Sequence, residues 1–224
     1  MPPSSFRNIS LQTCLPATNN LKTRKNGCVT FEGATVGILL AAGAGTRFTA
    51  DEHKLHASIG GTAVWKHSLQ QLLAAQIGPT IVVTGATSLG LRPYGVHEVH
   101  NPDWAQGQAT SLLAGITFAK HHRAAAAVIG LADQPGISPE AWQRVATTDA
   151  IIATASYDGE PGHPVRVDAS LWPQLPQTGD FGARALLRKY EYLVERIPCP
   201  GSPFDIDTTK DLDEWLKQSP TSSP

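Results

Sequence analysis

The sequence predicts an α/β fold in which a mostly parallel sheet carries helices on both faces. One observation is that short apolar runs alternate along the chain with segments that have the period of amphipathic helices. A second is the length of 224 residues, 41% of them hydrophobic, because this suffices for one good core and leaves little room for two. We therefore predict a single domain in which ligands bind beyond the carboxyl ends of the strands.

The predicted strands and helices alternate through most of the domain. The apolar runs of strand length are residues 35–40, 80–84, 96–100, 125–131, 151–156 and 192–197. The segments of helical period are residues 63–75, 110–121, 139–146, 181–189 and 209–217. Before the last helix, Thr208 is followed three residues later by Asp211, which resembles a capping box.

The two ends of the chain differ in composition from the domain. Residues 1–33 are rich in Ser, Thr, Asn and Pro without a sustained period, so we predict a flexible N-terminal extension. The segment is basic and nearly free of acidic residues, which leaves an organelle transit peptide as an alternative. The Ser- and Pro-rich residues 218–224 are predicted to be a disordered tail, so that the domain spans residues 34–217.

Charge and cysteine usage narrow the function classes. The net charge of -1 gives no basic surplus for binding a phosphate backbone, so nucleic acid is not the expected partner. No apolar run is long enough to cross a bilayer, and residues 1–10 lack the apolar centre of a secretory signal. The three cysteines are odd in number and form no C-x-x-C pair, as expected for free thiols. We expect a soluble cytoplasmic protein.

The first predicted strand runs into a glycine-rich loop, Leu-Ala-Ala-Gly-Ala-Gly-Thr-Arg at residues 40–47. Small residues let backbone N–H groups approach a polyphosphate, and Arg47 and the nearby Lys54 can neutralise its charge. The loop lacks the Gly-Lys-Ser/Thr of a Walker A sequence, and Phe48 stands where a dinucleotide loop needs a small residue. A tight turn that needs glycine for geometry alone is the alternative, but the basic residues favour phosphate binding.

Carboxylates stand at two places where they can hold Mg²⁺. Asp133 follows the fourth predicted strand, near the crevice expected at its carboxyl end. Asp205 and Asp207 are two apart, and point the same way if their segment is extended. The alternatives are a turn role for Asp133 before Pro135 and helix capping for the second segment.

Three further polar segments are weaker candidates. Residues 101–111 follow the third strand and carry amide and hydroxyl groups that can contact a nucleoside. Residues 162–165 and 179–184 can form an acceptor side, with His163 and Arg184 as phosphate ligands. Each can equally be an ordinary loop, with Asp180 as a helix N-cap. His53 and His56 do not form a metalloprotease pair and are interpreted as surface residues.

Together these segments resemble the molybdenum cofactor cytidylyltransferases, within the MobA-like NTP transferases. The resemblance covers residues 36–216, and six motifs in family-like order and spacing are far more specific than any one of them. It rests on the 40–47 loop with Lys54, on residues 101–111, 131–136, 162–165 and 179–184, and on Asp205 to Thr208 with Asp211 and Leu212. It implies a three-layer α/β/α, Rossmann-like nucleotidyltransferase fold with a mostly parallel mixed sheet.

The resemblance also implies roles for individual residues. Catalytic roles fall to Arg47, Lys54 and Asp133, and Mg²⁺ binding to Asp133 and Asp207. Nucleotide binding is implied for Leu40, Ala41, Ala42, Gly43, Gly45, Gly107 and Ser111. Contact with the pterin substrate is implied for Gly162, His163, Pro164, Asp180, Gly182 and Arg184. In this family alanine at the position of Ala42 accompanies CTP, whereas guanylyl-transferring relatives usually have glycine.

The activity implied is transfer of CMP from CTP to the phosphate of molybdopterin, with Mg²⁺ and release of pyrophosphate. Further partners would be a molybdoenzyme or its chaperone. One alternative is the same chemistry on another acceptor, such as a sugar phosphate or polyol phosphate. Others are a noncatalytic carrier of the molybdenum cofactor and, with less support, a redox protein.

Overall fold

A seven-stranded mixed sheet organises the domain in the computed structural model, which describes residues 30–49 and 52–218. The strands are β1 (Thr35–Ala41), β4 (Thr80–Thr84), β5 (His97–His100), β6 (Ala126–Leu131), β7 (Ile152–Tyr157), β8 (Glu160–Asp168) and β9 (Val194–Pro198), with a separate hairpin of β2 (Ser58–Ile59) and β3 (Thr62–Ala63). The helices are α1 (Val64–Ala75), α2 (Gln108–His121), α3 (Pro139–Thr147), α4 (Arg184–Lys189) and α5 (Thr209–Gln218).

The sheet order is β5-β4-β1-β6-β8-β7-β9, and only β8 runs against the others. The remaining strands are parallel, so their carboxyl ends meet at one edge of the sheet. This confirms the predicted α/β fold with a mostly parallel mixed sheet. The same edge collects the loops that follow β1, β4, β5 and β6.

Helices cover both faces of the sheet and give the predicted three layers. Along β1, Val36, Ile38 and Leu40 face the core formed with α2 and α4, whereas Leu39 and Ala41 face the core formed with α1 and α3. This two-residue alternation follows from the geometry of an extended strand. Both faces are apolar because each is covered by helices.

Strand β8 was not predicted, and residues 162–165 lie inside it and not in a loop. Gly162 and Pro164 suggested a loop because both are depleted in strands. The register between β7 and β8 shifts between Thr154 and Ala155, so that Thr154 pairs with Val165 and Ala155 pairs with Gly162. The two residues in between on β8 form a bulge, which accommodates a proline without an N–H group.

The packed domain begins before the predicted boundary at residue 34. Phe31, placed by the sequence analysis in the N-terminal extension, is 2% exposed, and its N–H donates to the carbonyl of His122. Residues 1–29 and 219–224, which hold the rest of the predicted extension and tail, lie outside the described residues. None of the helices in the described part of the chain has the length and apolar character needed to cross a membrane.

Candidate active site

A cavity of 510 Å³ opens at the carboxyl edge of the sheet. It lies between the loop after β1, the segment that enters α2, the end of β6 and the segment that precedes α5. Predicted site residues on its wall are Leu40, Ala41, Ala42, Gly43, Gly45, Arg47, Lys54, Gly107, Ser111, Asp133, Asp180 and Asp207. Ala44, Thr46, Leu55, Trp104, Ala105, Gln108 and Leu131 complete the wall.

The glycine-rich loop presents unused backbone donors to this cavity. Within residues 30–49 and 52–218, no hydrogen bond uses the N–H groups of residues 43–47. Gly45 has a φ of +64°, and a Cβ there would lie 2.9 Å from Cγ of Lys54. Glycine is therefore required at this turn both by the left-handed backbone and by the close passage of the lysine stem. A run of free N–H groups of this kind can bind phosphate oxygens.

His53, interpreted from the sequence as a surface residue, is half-buried and forms hydrogen bonds that hold the same loop. Its Nε2 donates to the carbonyl of Gly43 over 2.9 Å, and its Nδ1 accepts from the N–H of Leu55 over 3.2 Å. Both bonds require the neutral ring with the proton on Nε2. Burial is the main cause that lowers the pKa of His53, and the positive charge of Lys54 acts in the same direction.

Lys54 forms ion pairs with both aspartates of the cavity. Its Nζ lies 2.5 Å from Oδ2 of Asp133 and 2.8 Å from Oδ1 of Asp207. Arg47, more exposed, approaches Oδ2 of Asp207 at 2.9 Å. Burial opposes the charge on Lys54, but the two aspartates outweigh it and raise the pKa of Lys54. The lysine is therefore charged at neutral pH.

Asp207 is held beside Asp133 by its neighbours in the chain. The N–H of Ile206 donates to the carbonyl of Asp133 over 2.9 Å, and the Ile206 side chain is fully buried. Next to it, the predicted capping box is present, because Thr208 Oγ1 accepts from the N–H of Asp211 and Oδ2 of Asp211 accepts from the N–H of Thr208. Thr208 and Asp211 therefore cap the helix. The Asp207 carboxylate is not used for capping, and Asp207 lies on the cavity wall.

The two carboxylates fit a hard divalent cation. Oδ1 of Asp133 is buried and has no hydrogen-bond partner among the described residues. Burial, followed by the charges of Asp133 and Asp207, raises the pKa of the neighbouring Asp205 to about 6, so negative charge is concentrated here. No group of three or more His, Cys, Asp or Glu in the described ranges is placed to hold a metal. One or two carboxylates with phosphate oxygens and water are a usual Mg²⁺ environment, and this site matches it.

The segment entering α2 is held by a buried asparagine. Asn101 is 4% exposed, and its Nδ2 donates to the hydroxyls of Thr110 and Ser111, each over 3.0 Å. Its Oδ1 accepts from the N–H of Asp103. Since Ser111 Oγ accepts the asparagine bond, its own proton is available to a ligand in the cavity.

The predicted acceptor residues divide into two groups. Asp180 lines the cavity, and it does not cap a helix, because α4 begins at Arg184 with Ala183 as N-cap. Gly182 contacts Gln108, and a Cβ on it would lie 2.7 Å from Oε1 of that residue. Gly162, His163, Pro164, Gly182 and Arg184 are not on the cavity wall.

Among the residues off the cavity wall, Arg184 acts on His163 through its positive charge. Burial, together with the positive charge of Arg184, lowers the pKa of His163 to about 4. The imidazole is therefore neutral at physiological pH and would offer a phosphate a hydrogen bond but no charge. Arg184, which is exposed, is the member of this pair that carries positive charge.

Sequence reasoning overlooked several residues that contact the site. Trp104 and Gln108 lie on the cavity wall. They belong to residues 101–111, which were predicted to contact a nucleoside without these two being singled out. His53 was missed because its partner is a backbone carbonyl ten residues earlier, which no local pattern indicates. The position of Asn101 between a predicted strand and a predicted helix could have indicated its role, because the amide of an asparagine buried there needs hydrogen-bond partners.

The parallel sheet, the phosphate-type loop and the paired carboxylates define a nucleotidyltransferase. A family model described as the MobA-like NTP transferase domain matches residues 37–194. The chain belongs to this family. No curated protein sequence matches the chain significantly.

Solved structures share the fold. Rv0371c from Mycobacterium tuberculosis H37Rv is 24% identical with a TM-score of 0.72, over 83% of this chain and 99% of that one. A structure of Rv0371c in complex with manganese gives 25% identity and a TM-score of 0.69, over 83% and 100% of the two chains. The inositol-1-phosphate CTP transferase from T. maritima is 17% identical with a TM-score of 0.63, over 87% and 100%.

Proposed function

We propose that this nucleotidyltransferase transfers CMP from CTP to the phosphate of molybdopterin with the help of Mg²⁺. The observation that carries the nucleotide part is the run of N–H groups at residues 43–47, which are unused among the described residues and share one cavity with Lys54 and two carboxylates. A noncatalytic carrier needs no such combination of phosphate donors and metal ligands. The choice of molybdopterin rests on the sequence resemblance described above.

The metal ligands in this proposal are Asp133 and Asp207. The buried and unpaired Oδ1 of Asp133 supports this role, and manganese in the Rv0371c complex indicates that a similar protein binds a divalent cation. When bound, Mg²⁺ would withdraw charge from phosphate oxygens and lower the barrier to attack on the α-phosphorus. The protein then has to place both substrates and neutralise the remaining charge.

The reaction joins an oxygen of the acceptor phosphate to the α-phosphorus of CTP. The bond between the α-phosphorus and the bridging oxygen to the β-phosphate breaks, and pyrophosphate leaves. A phosphate monoester is already anionic at neutral pH, so no strong general base is needed. The loop N–H groups orient the triphosphate, while Lys54 and Arg47 neutralise charge on the departing pyrophosphate.

The choice of CTP in this proposal rests on Ala42. Ala42 is 3% exposed, and its carbonyl accepts from the N–H of Ala86. A Cβ on Gly85 would lie 2.8 Å from the Cβ atoms of both Ala42 and Trp104, so Gly85 packs closely behind these two wall residues. The preference for cytidine itself rests on the resemblance, in which alanine at this position accompanies CTP.

Transfer to another phosphorylated acceptor is the second candidate. The T. maritima protein of the same fold is an inositol-1-phosphate CTP transferase. Five of the six predicted acceptor residues lie off the cavity wall, so the wall itself favours neither acceptor. A polyol phosphate and molybdopterin would present the same nucleophile, a phosphate monoester oxygen.

The test is pyrophosphate release by the purified protein with Mg²⁺, comparing CTP, GTP, ATP and UTP with molybdenum cofactor or inositol 1-phosphate as acceptor. We expect release with CTP and molybdenum cofactor only. Ala42→Gly is expected to accept GTP in addition, because guanylyl-transferring relatives usually have glycine at this position. Release with inositol 1-phosphate alone would favour the second candidate, and release with neither acceptor despite CTP binding would contradict the proposal.

A further inference from the structure

The ammonium group of Lys54 lies where two carboxylates of the cavity converge. Its contacts are 2.5 Å to Asp133 and 2.8 Å to Asp207, and they come from two separate segments of the chain. Lys54 is only 9% exposed, so water does not screen these contacts strongly. An oxygen pair directed at one point is also what a small divalent cation requires.

The two carboxylates at this point are neutralised without any ligand by the two cations that contact them. Asp133 and Asp207 carry two negative charges, and Lys54 and Arg47 supply two positive ones. A divalent cation that entered alone would have to displace a buried ammonium and leave a net positive cluster. Burying unpaired charge in this way is costly, so the free cation is disfavoured.

Lys54 is also placed to leave this position when phosphate is present. Its stem passes directly beneath Gly45, in the loop whose N–H groups at residues 43–47 are unused. A triphosphate on that loop would offer the ammonium an alternative anionic partner. The two aspartates would then be free for a cation that arrives with the nucleotide.

We propose that Lys54 is an internal counter-cation that occupies the divalent-metal position until a nucleotide draws its ammonium away, so that metal and nucleotide bind together. This inference rests on the proposed function, since it assigns the metal to Asp133 and Asp207. It gives Lys54 two successive partners, the carboxylates in the free protein and phosphate in the loaded one. Free divalent cation alone is thereby kept out of the cavity.

The experiment measures Mn²⁺ binding to the full chain by the paramagnetic resonance signal of free Mn²⁺, without nucleotide or acceptor. Wild type is compared with Lys54→Met, which keeps the buried stem and removes the charge. We expect Lys54→Met to bind Mn²⁺ about tenfold more tightly than wild type, a typical coupling between two sites. Lys120→Met, on the exposed end of α2, is the matched control and should bind as wild type does.

The reciprocal measurement is the affinity for labelled CTP by equilibrium dialysis, with and without Mn²⁺. In wild type, Mn²⁺ should tighten CTP binding by about tenfold, and linkage requires that CTP tighten Mn²⁺ binding by the same factor. In Lys54→Met this coupling should be smaller, because only the direct attraction between Mn²⁺ and the triphosphate remains. Circular dichroism establishes that the variant is folded.

Two results separate this inference from the proposed function. Equal Mn²⁺ affinity in wild type and folded Lys54→Met would overturn the counter-cation role of Lys54. This would hold even if the wild-type protein releases pyrophosphate from CTP as proposed. Tighter Mn²⁺ binding in Lys54→Met that is lost again in Lys54→Met/Asp133→Asn would support it. That support would stand even if CMP transfer to molybdopterin were not observed.

Discussion

At the scale of single residues, the candidate site depends on how buried charges are paired. Lys54 satisfies one oxygen of each of two aspartates, and Arg47 contacts the second oxygen of Asp207. The second oxygen of Asp133 has no partner among the described residues. A buried acceptor without a partner costs stability in most settings, so its presence here points to a ligand.

Asp133→Asn tests this assignment with minimal change of shape. The amide cannot supply a second negative charge to a cation, so we expect turnover to fall by roughly 100- to 1,000-fold. The thermal midpoint should change little, because Lys54 keeps Asp207 as a partner. Asp213→Asn, on the exposed side of α5, is the control and should retain wild-type turnover. Near-normal activity in Asp133→Asn would show that the metal assignment is wrong.

His163 makes a prediction about pH. Burial and Arg184 lower its folded-state pKa to about 4 from 6.5, so between these values the unfolded chain binds more protons than the folded one. Stability should therefore fall as pH drops from 6.5 towards 4. Chemical denaturation across this window should show a smaller loss in His163→Gln, because glutamine does not titrate. An identical pH dependence in the two proteins would contradict the lowered pKa.

At the scale of elements, two segments from distant parts of the chain are joined at the cavity. The N–H of Ala109 donates to the carbonyl of Gly179 over 2.9 Å, and the N–H of Gly179 donates to the carbonyl of Gln106. Gly107 lies between them with a φ of +108°, and a Cβ on it would meet Gly179 at 2.6 Å and Asp180 at 2.7 Å. The position of Asp180 thus depends on the start of α2.

Gly107→Ala should separate these segments. The left-handed backbone alone costs about 1–3 kcal/mol, and the clash would additionally displace Asp180, so we expect a loss of kcat/KM of up to about 100-fold. Gly90→Ala is the matched control, because Gly90 has a φ of +62° and open space around its Cβ position. Steady-state kinetics on both variants should show the activity loss in Gly107→Ala only. Equal losses would mean that backbone strain, and not the contact between segments, is responsible.

The sequence and the structure agree best where the signal is local. The strand over residues 80–84 was predicted with the observed bounds, since its apolar run is continuous and it is buried on both faces. Strand β8 was missed because its pairing depends on a bulge opposite Thr154, which lies outside any local pattern. The convergence of Lys54 with Asp207 joins residues far apart in sequence, so the motifs indicated each partner but not their contact.

At the scale of the whole molecule, the parallel sheet brings the loops after β1, β5 and β6 to one edge, and the segment before α5 adds Asp207 to the cavity wall. At this edge of the sheet we expect a nucleoside monophosphate to be transferred and pyrophosphate to be released. Only bond cleavage at the α-phosphorus has this consequence, whereas phosphoryl transfer from the γ-phosphate would leave a nucleoside diphosphate.

The most direct test supplies CTP labelled at either the α- or the γ-phosphate, with Mg²⁺ and molybdenum cofactor, and follows each label by chromatography. We expect the α-label to appear on the acceptor and the γ-label in pyrophosphate, and the rate at which both appear to fall by roughly 100- to 1,000-fold in Asp133→Asn. Transfer of the γ-label to the acceptor, or retention of both labels in CTP that is bound by the protein, would contradict this expectation.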